Sequence, residues 1–149
     1  MTELLPSDVW IAITAYNEQQ LIGAVLDDLL RVAKNIVVVD NGSRDDTAGE
    51  VFKRPVWLVR HAVNLRHGAA LQTGIAFALK RHAEHIITFD ADGQHCTSDL
   101  PVLIERFTTS DADFALGSRF LGKARGIPWS RKLMLRMAVR SRESFREWP

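Results

Sequence analysis

Residues 36–47 read IVVVDNGSRDDT, an apolar run that ends in an aspartate and passes directly into a polar, glycine-bearing segment. Four consecutive apolar residues, three of them valine, predict a strand that is buried on both faces. Asn41-Gly42 is a strong turn signal, and Asp46-Thr47 can cap a following helix. The stretch therefore predicts a strand, a loop and a helix start, which is the repeating unit of α/β folds.

The same alternation of strand and helix patterns extends along the chain. Short apolar segments predict four buried strands, at Val9–Ala15, Ile36–Asp40, Val56–Arg60 and His85–Phe89. Amphipathic periodicity predicts four helices, at Gln19–Val32, about Asp46–Lys53, Ala69–Arg81 and Ser98–Phe107. In the last of these, Ser98 is expected as the N-cap and Pro101 in the first turn. A fifth strand is expected at Phe114–Gly117, and the order of elements predicts a three-layer α/β sandwich around a mostly parallel sheet.

The composition is that of a soluble globular protein. Hydrophobic residues make up 46% and charged residues 25% of the 149 residues, which excludes a disordered or fibrous chain and suits one domain. No apolar run reaches the roughly 18 residues of a membrane-spanning helix, and the N-terminus lacks a signal-peptide pattern, so a cytoplasmic location is expected. The single cysteine, Cys96, cannot form an internal disulfide.

Charge is distributed unevenly along the chain. Residues 1–118 hold 10 Lys/Arg against 16 Asp/Glu, whereas residues 119–149 hold 9 against 2. Within Pro128–Trp148, apolar and basic side chains alternate as on an amphipathic helix that can lie on an anionic membrane surface. The single domain is thus expected to comprise an α/β core at 1–118 and a basic tail at 119–149, peripheral to a membrane. The tail aromatics match no RNA-binding signature, so no nucleic-acid partner is expected.

Polar segments follow the predicted strands, where an open α/β sheet binds its ligands. They read AYNEQQ (15–20), DNGSRDDT (40–47), HAVNLRHGAA (61–70) and DADGQH (90–95). Neither a G-x-G-x-x-G dinucleotide fingerprint nor a phosphate-binding P-loop is present. Asp40 is a carboxylate at the end of a buried strand, and the sequence shows no obvious local partner for it. It needs hydrogen-bond donors, which a nucleobase N–H or a ribose hydroxyl could supply. The small residues at 68–70 are expected to permit tight packing.

Asp90 and Asp92 are like charges one residue apart, and three kinds of site could contain them. A calcium-binding helix-loop-helix is excluded, because Pro101 stands where its loop requires a glutamate. A phosphotransfer site of the D-x-D-x-[TV] type would need the pair after the first strand and a hydroxyl in place of Gln94. A divalent cation removes the repulsion, and carboxylates suit Mg²⁺ or Mn²⁺ whose other ligands are substrate phosphates.

With these residues identified, the sequence resembles the inverting family 2 glycosyltransferases of the GT-A fold, and among them the dolichol-phosphate mannosyltransferase-like enzymes. The resemblance runs from about Val9 to Ala138. Five motifs carry it: AYNE (15–18), VVVDNGSRDDT (37–47), NLRHGAALQTGI (64–75), FDADGQH (89–95) and GSRF (117–120). It implies the Rossmann-like nucleotide-diphospho-sugar transferase fold, a nucleotide-diphospho-sugar donor, a polyprenyl phosphate acceptor, and Mg²⁺ or Mn²⁺.

The resemblance also implies roles for individual residues. The nucleotide is expected to contact Ala15, Tyr16 and Glu18, with Asp40 at the base. The pair Asp90 and Asp92 is expected to hold the metal and the donor diphosphate, with Asp92 as the direct ligand. The sugar and the acceptor phosphate are expected to contact Gln94, Arg119 and Arg131.

Members of this family continue through a further strand and an acceptor-side loop, and residues 139–149 do not resemble that continuation. A chain shortened on the acceptor side is therefore expected. The alternative function is a nucleotide-diphosphate-binding module with little or no transfer. Oligomerisation is compatible with either function.

Overall fold

The computed structural model describes residues 5–91 and 97–115. Within them, strands and helices alternate in the predicted order. The strands are β1 (Val9–Ala15), β2 (Asn35–Asp40), β3 (Trp57–Arg60) and β4 (His85–Asp90). The helices are α1 (Ile22–Leu29), α2 (Thr47–Phe52), α3 (Arg66–Leu79) and α4 (Leu100–Thr108).

The four strands form one parallel sheet in the order β3-β2-β1-β4. The chain moves outward from β1 through β2 to β3, and then α3 returns it to the other side of β1. The order of strands reverses between β1 and β4, and at such a point the loops that leave adjacent strands separate and open a crevice. The register sets Ala15 beside Asp40, Asp40 beside Arg60, and Thr14 beside Asp90.

Helices cover both faces of the sheet. Alternate β1 residues, among them Ile11 and Ile13, pack into a core shared with buried residues of α1, α2 and α4. Trp10 and Ala12 point to the other face, where they pack with Ala78 of α3. Both faces are apolar because both are covered, which accounts for the uninterrupted valine run of β2. The three-layer α/β sandwich with a parallel sheet is confirmed.

The boundaries of the helices differ from the prediction more than those of the strands. A 3₁₀ turn at Thr97–Asp99 precedes α4, so that Asp99 is the N-cap residue and no side-chain cap bond forms. The prediction of Ser98 as the cap is therefore wrong, whereas Pro101 does lie in the first turn. Phe114 and Ala115 are not in a strand, and the remainder of the predicted fifth strand lies outside the described residues.

The chain divides into two compact units, residues 1–113 and 114–149, and every element named above belongs to the first. Within the described ranges, no helix combines the length and apolar character needed to cross a bilayer.

Candidate functional site

The loops that follow the strands surround a cavity of about 580 Å³ at the carboxyl edge of the sheet. All four polar segments predicted to follow the strands contribute to its wall. The lining residues are Thr14, Ala15, Tyr16, Glu18, Asn41, Asn64, Arg66, His67, Asp90 and Ala91. The cavity opens at the reversal of strand order, on the carboxyl edge of the sheet, and that edge is the location predicted from the sequence pattern.

The loop after β1 is held by the loop after β2. The backbone N–H of Asn17, which has a positive φ of 58°, donates to Ser43 Oγ at 2.9 Å, and the N–H of Glu18 donates to Thr47 Oγ1 at 2.9 Å. Ala15 is buried, and Tyr16 is 40% exposed. Ala15, Tyr16 and Glu18, the three residues expected to contact a nucleotide, all line the cavity.

Asp40 is fully buried at the end of β2, and both of its carboxylate oxygens have partners. The N–H of Ser43 donates to Oδ1 at 2.9 Å, and Nε of Arg60 donates to Oδ2 at 3.0 Å. Arg60 lies directly beside Asp40 in the sheet register, while its own side chain is 58% exposed. The expectation that Asp40 has no local partner is therefore wrong, because the neighbouring strand β3 supplies Arg60.

Asp45 secures the start of α2. It accepts hydrogen bonds from the N–H and hydroxyl of Thr47 and from the N–H of Gln19. Desolvation by itself raises the pKa of Asp45, but the hydrogen bonds from Thr47 and Gln19 outweigh it and lower the pKa below its ordinary value. The β2–α2 loop therefore carries an ionised acid at neutral pH that ties it to the loop after β1.

Asn41 connects the β2 end to the β3–α3 loop. Its Oδ1 accepts from the N–H of Leu65 at 3.0 Å and lies 3.0 Å from Nδ1 of His61, while its Nδ2 donates to Asn64 Oδ1 at 3.1 Å. Gly42, with a φ of 75°, allows the two loops to approach closely, since a Cβ there would lie 2.6 Å from the Val63 carbonyl carbon. The turn predicted at Asn41-Gly42 is thus fixed by contact with another loop.

The first turn of α3 brings two basic residues to the cavity. Arg66 and His67 both line it, and Nδ1 of His67 lies 3.1 Å from Thr14 Oγ1. A Cβ at Gly68 would meet nothing within 4 Å, so the prediction that tight packing requires a small residue is wrong for Gly68. The same prediction holds for Ala70, which is fully buried.

Asp90 is the last residue of β4, is partly buried and lines the cavity. The strand continues one residue further than predicted, and this places Asp90 beside Thr14 in the register. The other expected residues of the metal, sugar and acceptor sites lie outside the described residues; they are Asp92, Gln94, Arg119 and Arg131.

Sequence reasoning missed several residues of the cavity wall: Thr14, Asn41, Asn64, Arg66 and His67. A usable signal existed for some of them. Thr14 interrupts an otherwise apolar strand, and NLRH (64–67) follows β3 as a polar run before a helix. That the side chain of Arg66 reaches the same space as that of Asp90 depends on the path of the loop, which the sequence pattern does not specify.

A second group of metal-ligand side chains lies at the opposite, amino-terminal edge of the sheet. Asp8, Glu84 and His85 each bring one ligand atom within 4.8 Å of the others. The N–H groups of Glu84 and His85 both donate to the carbonyl oxygen of Asp8, which holds the two segments together. This group is separate from the predicted pair at 90 and 92.

Comparison with known proteins identifies relatives over most of the chain. It is 30% identical to a UDP-N-acetylglucosamine–dolichyl-phosphate N-acetylglucosaminyltransferase of Methanococcus voltae over 74% of this chain and 51% of the relative. It is also 30% identical to a polyprenol monophosphomannose synthase of Mycolicibacterium smegmatis over 86% of this chain and 52% of that protein. The chain therefore spans about half the length of these curated relatives.

The fold has counterparts among solved structures. Glucosyl-3-phosphoglycerate synthase from Mycobacterium tuberculosis, solved in complex with Mn²⁺, UDP and glucosyl-3-phosphoglycerate, superposes with a TM-score of 0.55 at 22% identity. The match covers 69% of this chain and 40% of that one, and it supports the GT-A fold. The model of the family described as glycosyl transferase family 2 matches residues 10–148, ten residues beyond the end of the sequence resemblance. With the parallel sheet, the crevice beside β1 and this match over nearly its whole length, the chain belongs to glycosyl transferase family 2.

Proposed function

We propose that this chain carries the donor-binding half of an inverting glycosyltransferase, which moves a sugar from a nucleotide-diphospho-sugar to a polyprenyl phosphate. The observation that carries the proposal is the cavity at the carboxyl edge of the sheet, which is lined by Asp90 together with the ends of β1 and β2. Further support comes from the names of two relatives. One name contains dolichyl phosphate, and the other names polyprenol monophosphomannose as the product. The two names differ in the sugar, so the proposal leaves the sugar open.

In the proposed reaction an oxygen of the acceptor phosphate attacks the anomeric carbon of the sugar. A new carbon–oxygen bond forms on one face while the bond to the nucleoside diphosphate breaks on the other, and the bonding electrons leave with the diphosphate. The acceptor oxygen is already anionic at neutral pH, so its attack needs little help from a base. Stabilising the charge that develops on the leaving group is the main catalytic task.

The donor set on the cavity wall fits a hard divalent cation. Asp90 offers carboxylate oxygen, the ligand type preferred by Mg²⁺ and Mn²⁺, and Asp92 would supply the second carboxylate. When bound, the cation would neutralise charge on the diphosphate. In this proposal Ala15, Tyr16 and Glu18 hold the nucleoside, and Asp40 binds the base.

The remaining proposed roles concern the sugar and the acceptor. Gln94 would contact the transferred sugar beside the metal. Arg119 and Arg131 would orient the polyprenyl phosphate through forked hydrogen bonds, the geometry for which arginine is suited. The basic tail would hold the protein at the membrane surface in which the acceptor lies.

The proposal is tested by measuring metal-dependent donor binding and sugar transfer with the purified chain. Calorimetry with UDP and GDP in Mn²⁺ should show binding that EDTA weakens. Asp90→Asn should weaken binding about tenfold or more in Mn²⁺ and much less in EDTA, because the carboxylate acts through the metal. Asp111→Asn, which changes an exposed acid outside the cavity, should bind like the wild type.

Transfer is assayed with radiolabelled UDP- and GDP-sugars and a polyprenyl phosphate in detergent. Metal-dependent formation of a glycolipid supports the transferase. Metal-dependent binding without a glycolipid would leave the nucleotide-diphosphate-binding module as the function of the chain. Equal losses for Asp90→Asn in Mn²⁺ and in EDTA would refute a metal site at Asp90.

A further inference from the structure

Arg66 has an unusual backbone conformation for its residue type. Its φ is 71°, in the left-handed region where the Cβ of an ordinary residue crowds the neighbouring carbonyl. Glycine adopts this conformation without that strain. An arginine here therefore carries a conformational cost that a glycine would avoid, and a strained residue on a cavity wall suggests a role for its side chain.

The strain is imposed by the hydrogen bonds of the loop. The N–H of Arg66 donates to Asn64 Oδ1 at 2.8 Å, and the N–H of the preceding Leu65 donates to Asn41 Oδ1 at 3.0 Å. Asn41 in turn donates to Asn64, so both backbone groups are held by one connected pair of amide side chains. The loop thus fixes the position from which the Arg66 side chain leaves the backbone.

The charge of Arg66 is available to a ligand. Its side chain is exposed and lines the same cavity as Asp90 and Glu18. Among the residues that the structure describes, no ion pair or side-chain hydrogen bond is made by its guanidinium group. By contrast, Arg60 at the end of β3 is paired with Asp40.

We propose that Arg66 binds the diphosphate of the nucleotide-sugar in the cavity that it lines together with Asp90. The inference rests on the proposed function. It adds Arg66 to the residues that the family resemblance implied for the donor site. A guanidinium group donates two parallel hydrogen bonds to phosphate oxygens, and a cation on Asp90 would neutralise further charge of the same diphosphate. The diphosphate would then contact two positive charges, one held at the start of α3 and the other at the end of β4. Loss of the guanidinium would weaken donor binding, since its contribution is electrostatic and made to an anion.

The test compares Arg66→Gly with the wild type by calorimetry with UDP and GDP in saturating Mn²⁺. Glycine relieves the backbone strain, so the melting temperature should stay the same or rise, while the affinity for the nucleotide that binds falls about tenfold. Arg66→Lys keeps the charge without the fork and should fall between the two. The difference between Arg66→Gly and the wild type should shrink as NaCl is raised, because the lost contact is ionic.

His82→Gly is the matched control. His82 has a φ of 59° in the turn after α3, outside the cavity wall, so glycine relieves the same kind of strain there without removing a ligand contact. We expect this variant to bind nucleotide like the wild type. Equal affinity of Arg66→Gly and the wild type would overturn the inference while leaving the proposed function intact, as would an equal loss in His82→Gly. Absence of nucleotide binding by the wild type would overturn both.

Discussion

Asp40, which we propose to lie at the base of the donor nucleotide, has a role in the fold that the structure shows directly. It is fully buried, and its two oxygens accept hydrogen bonds from the Ser43 N–H and from Arg60. The first bond shapes the loop after β2, and the second joins the ends of β2 and β3. A nucleobase that reached this carboxylate would meet a group whose position is already fixed by the protein.

Replacing Arg60 with methionine should destabilise the fold through Asp40. The substitution leaves a buried carboxylate without its cationic partner, and we expect a loss of about 1–2 kcal/mol in the free energy of unfolding. The estimate is reduced from that for a fully buried pair because Arg60 is itself 58% exposed and water screens it. Urea denaturation measures the change.

The double variant Asp40→Asn/Arg60→Met, compared with the two single variants, isolates the interaction energy of the Asp40–Arg60 ion pair. If the ion pair is the cause, the double variant should lose less than the sum of the two single variants. A loss below about 0.5 kcal/mol for Arg60→Met alone, typical of neutral surface substitutions, would show that the pair contributes little.

At the level of elements, the strands were predicted more closely than the helices, and the reason is physical. A strand buried on both faces is an apolar run with sharp ends, so β1 matches its prediction from Val9 to Ala15. The apolar periodicity of a helix shows which residues are buried, but it does not show where the helical hydrogen bonds end. Helix α1 ends at Leu29, yet Val32 and Ala33 in the following turn are also buried, which extended the predicted helix to Val32.

The candidate site was predictable as a location and only in part as a set of residues. Polar segments after parallel strands predicted the cavity edge, because the topology requires those strand ends to meet. The basic wall of the cavity was missed, since the position of Arg66 depends on hydrogen bonds from Asn41 and Asn64 that join residues distant in sequence. Periodicity carries no information on such contacts.

Two glycines of α3 should respond in opposite ways to alanine. At Gly68 an added Cβ meets nothing within 4 Å, so Gly68→Ala should stabilise the protein by about 0.5–1 kcal/mol through reduced backbone entropy of the unfolded chain. At Gly74 the Cβ would lie 3.2 Å from Ala12 Cβ and 3.3 Å from Val39 Cγ2, where the helix crosses the sheet.

We therefore expect Gly74→Ala to be less stable than Gly68→Ala by about 1 kcal/mol or more, because overpacking offsets the entropic gain. Urea denaturation of the two single variants gives the comparison within one helix. Equal stabilisation by both substitutions would show that the sheet yields to the extra methyl group and that α3 is not held closely against β1 and β2.

For the whole molecule, the sign of charge changes between the α/β core and the tail. The acidic excess of residues 1–118 surrounds a site proposed to bind an anionic donor, which a cation and basic residues must then neutralise locally. The basic excess of residues 119–149 lies outside the described residues. In a transferase with a polyprenyl phosphate acceptor, this basic excess would bring the protein to the membrane surface where the acceptor is anchored.

Neutralising three tail arginines should release the protein from anionic membranes without loss of the donor site. The triple variant Arg136→Gln/Arg140→Gln/Arg146→Gln removes about 1 kcal/mol of surface attraction per charge, so partition onto phosphatidylglycerol vesicles should fall on the order of a hundredfold. Co-sedimentation measures the partition, and phosphatidylcholine vesicles should bind both proteins weakly.

The comparison requires a variant with the same change in net charge outside the tail. Arg31, Lys34 and Arg106 are exposed residues of the α/β core, and their joint replacement by glutamine should leave the partition close to that of the wild type. An equal loss in both triple variants would mean that net charge alone drives the association. Unchanged partition of the tail variant would refute the membrane role of the tail. If its partition falls while its nucleotide binding stays intact, the three arginines act in membrane association and not in donor binding.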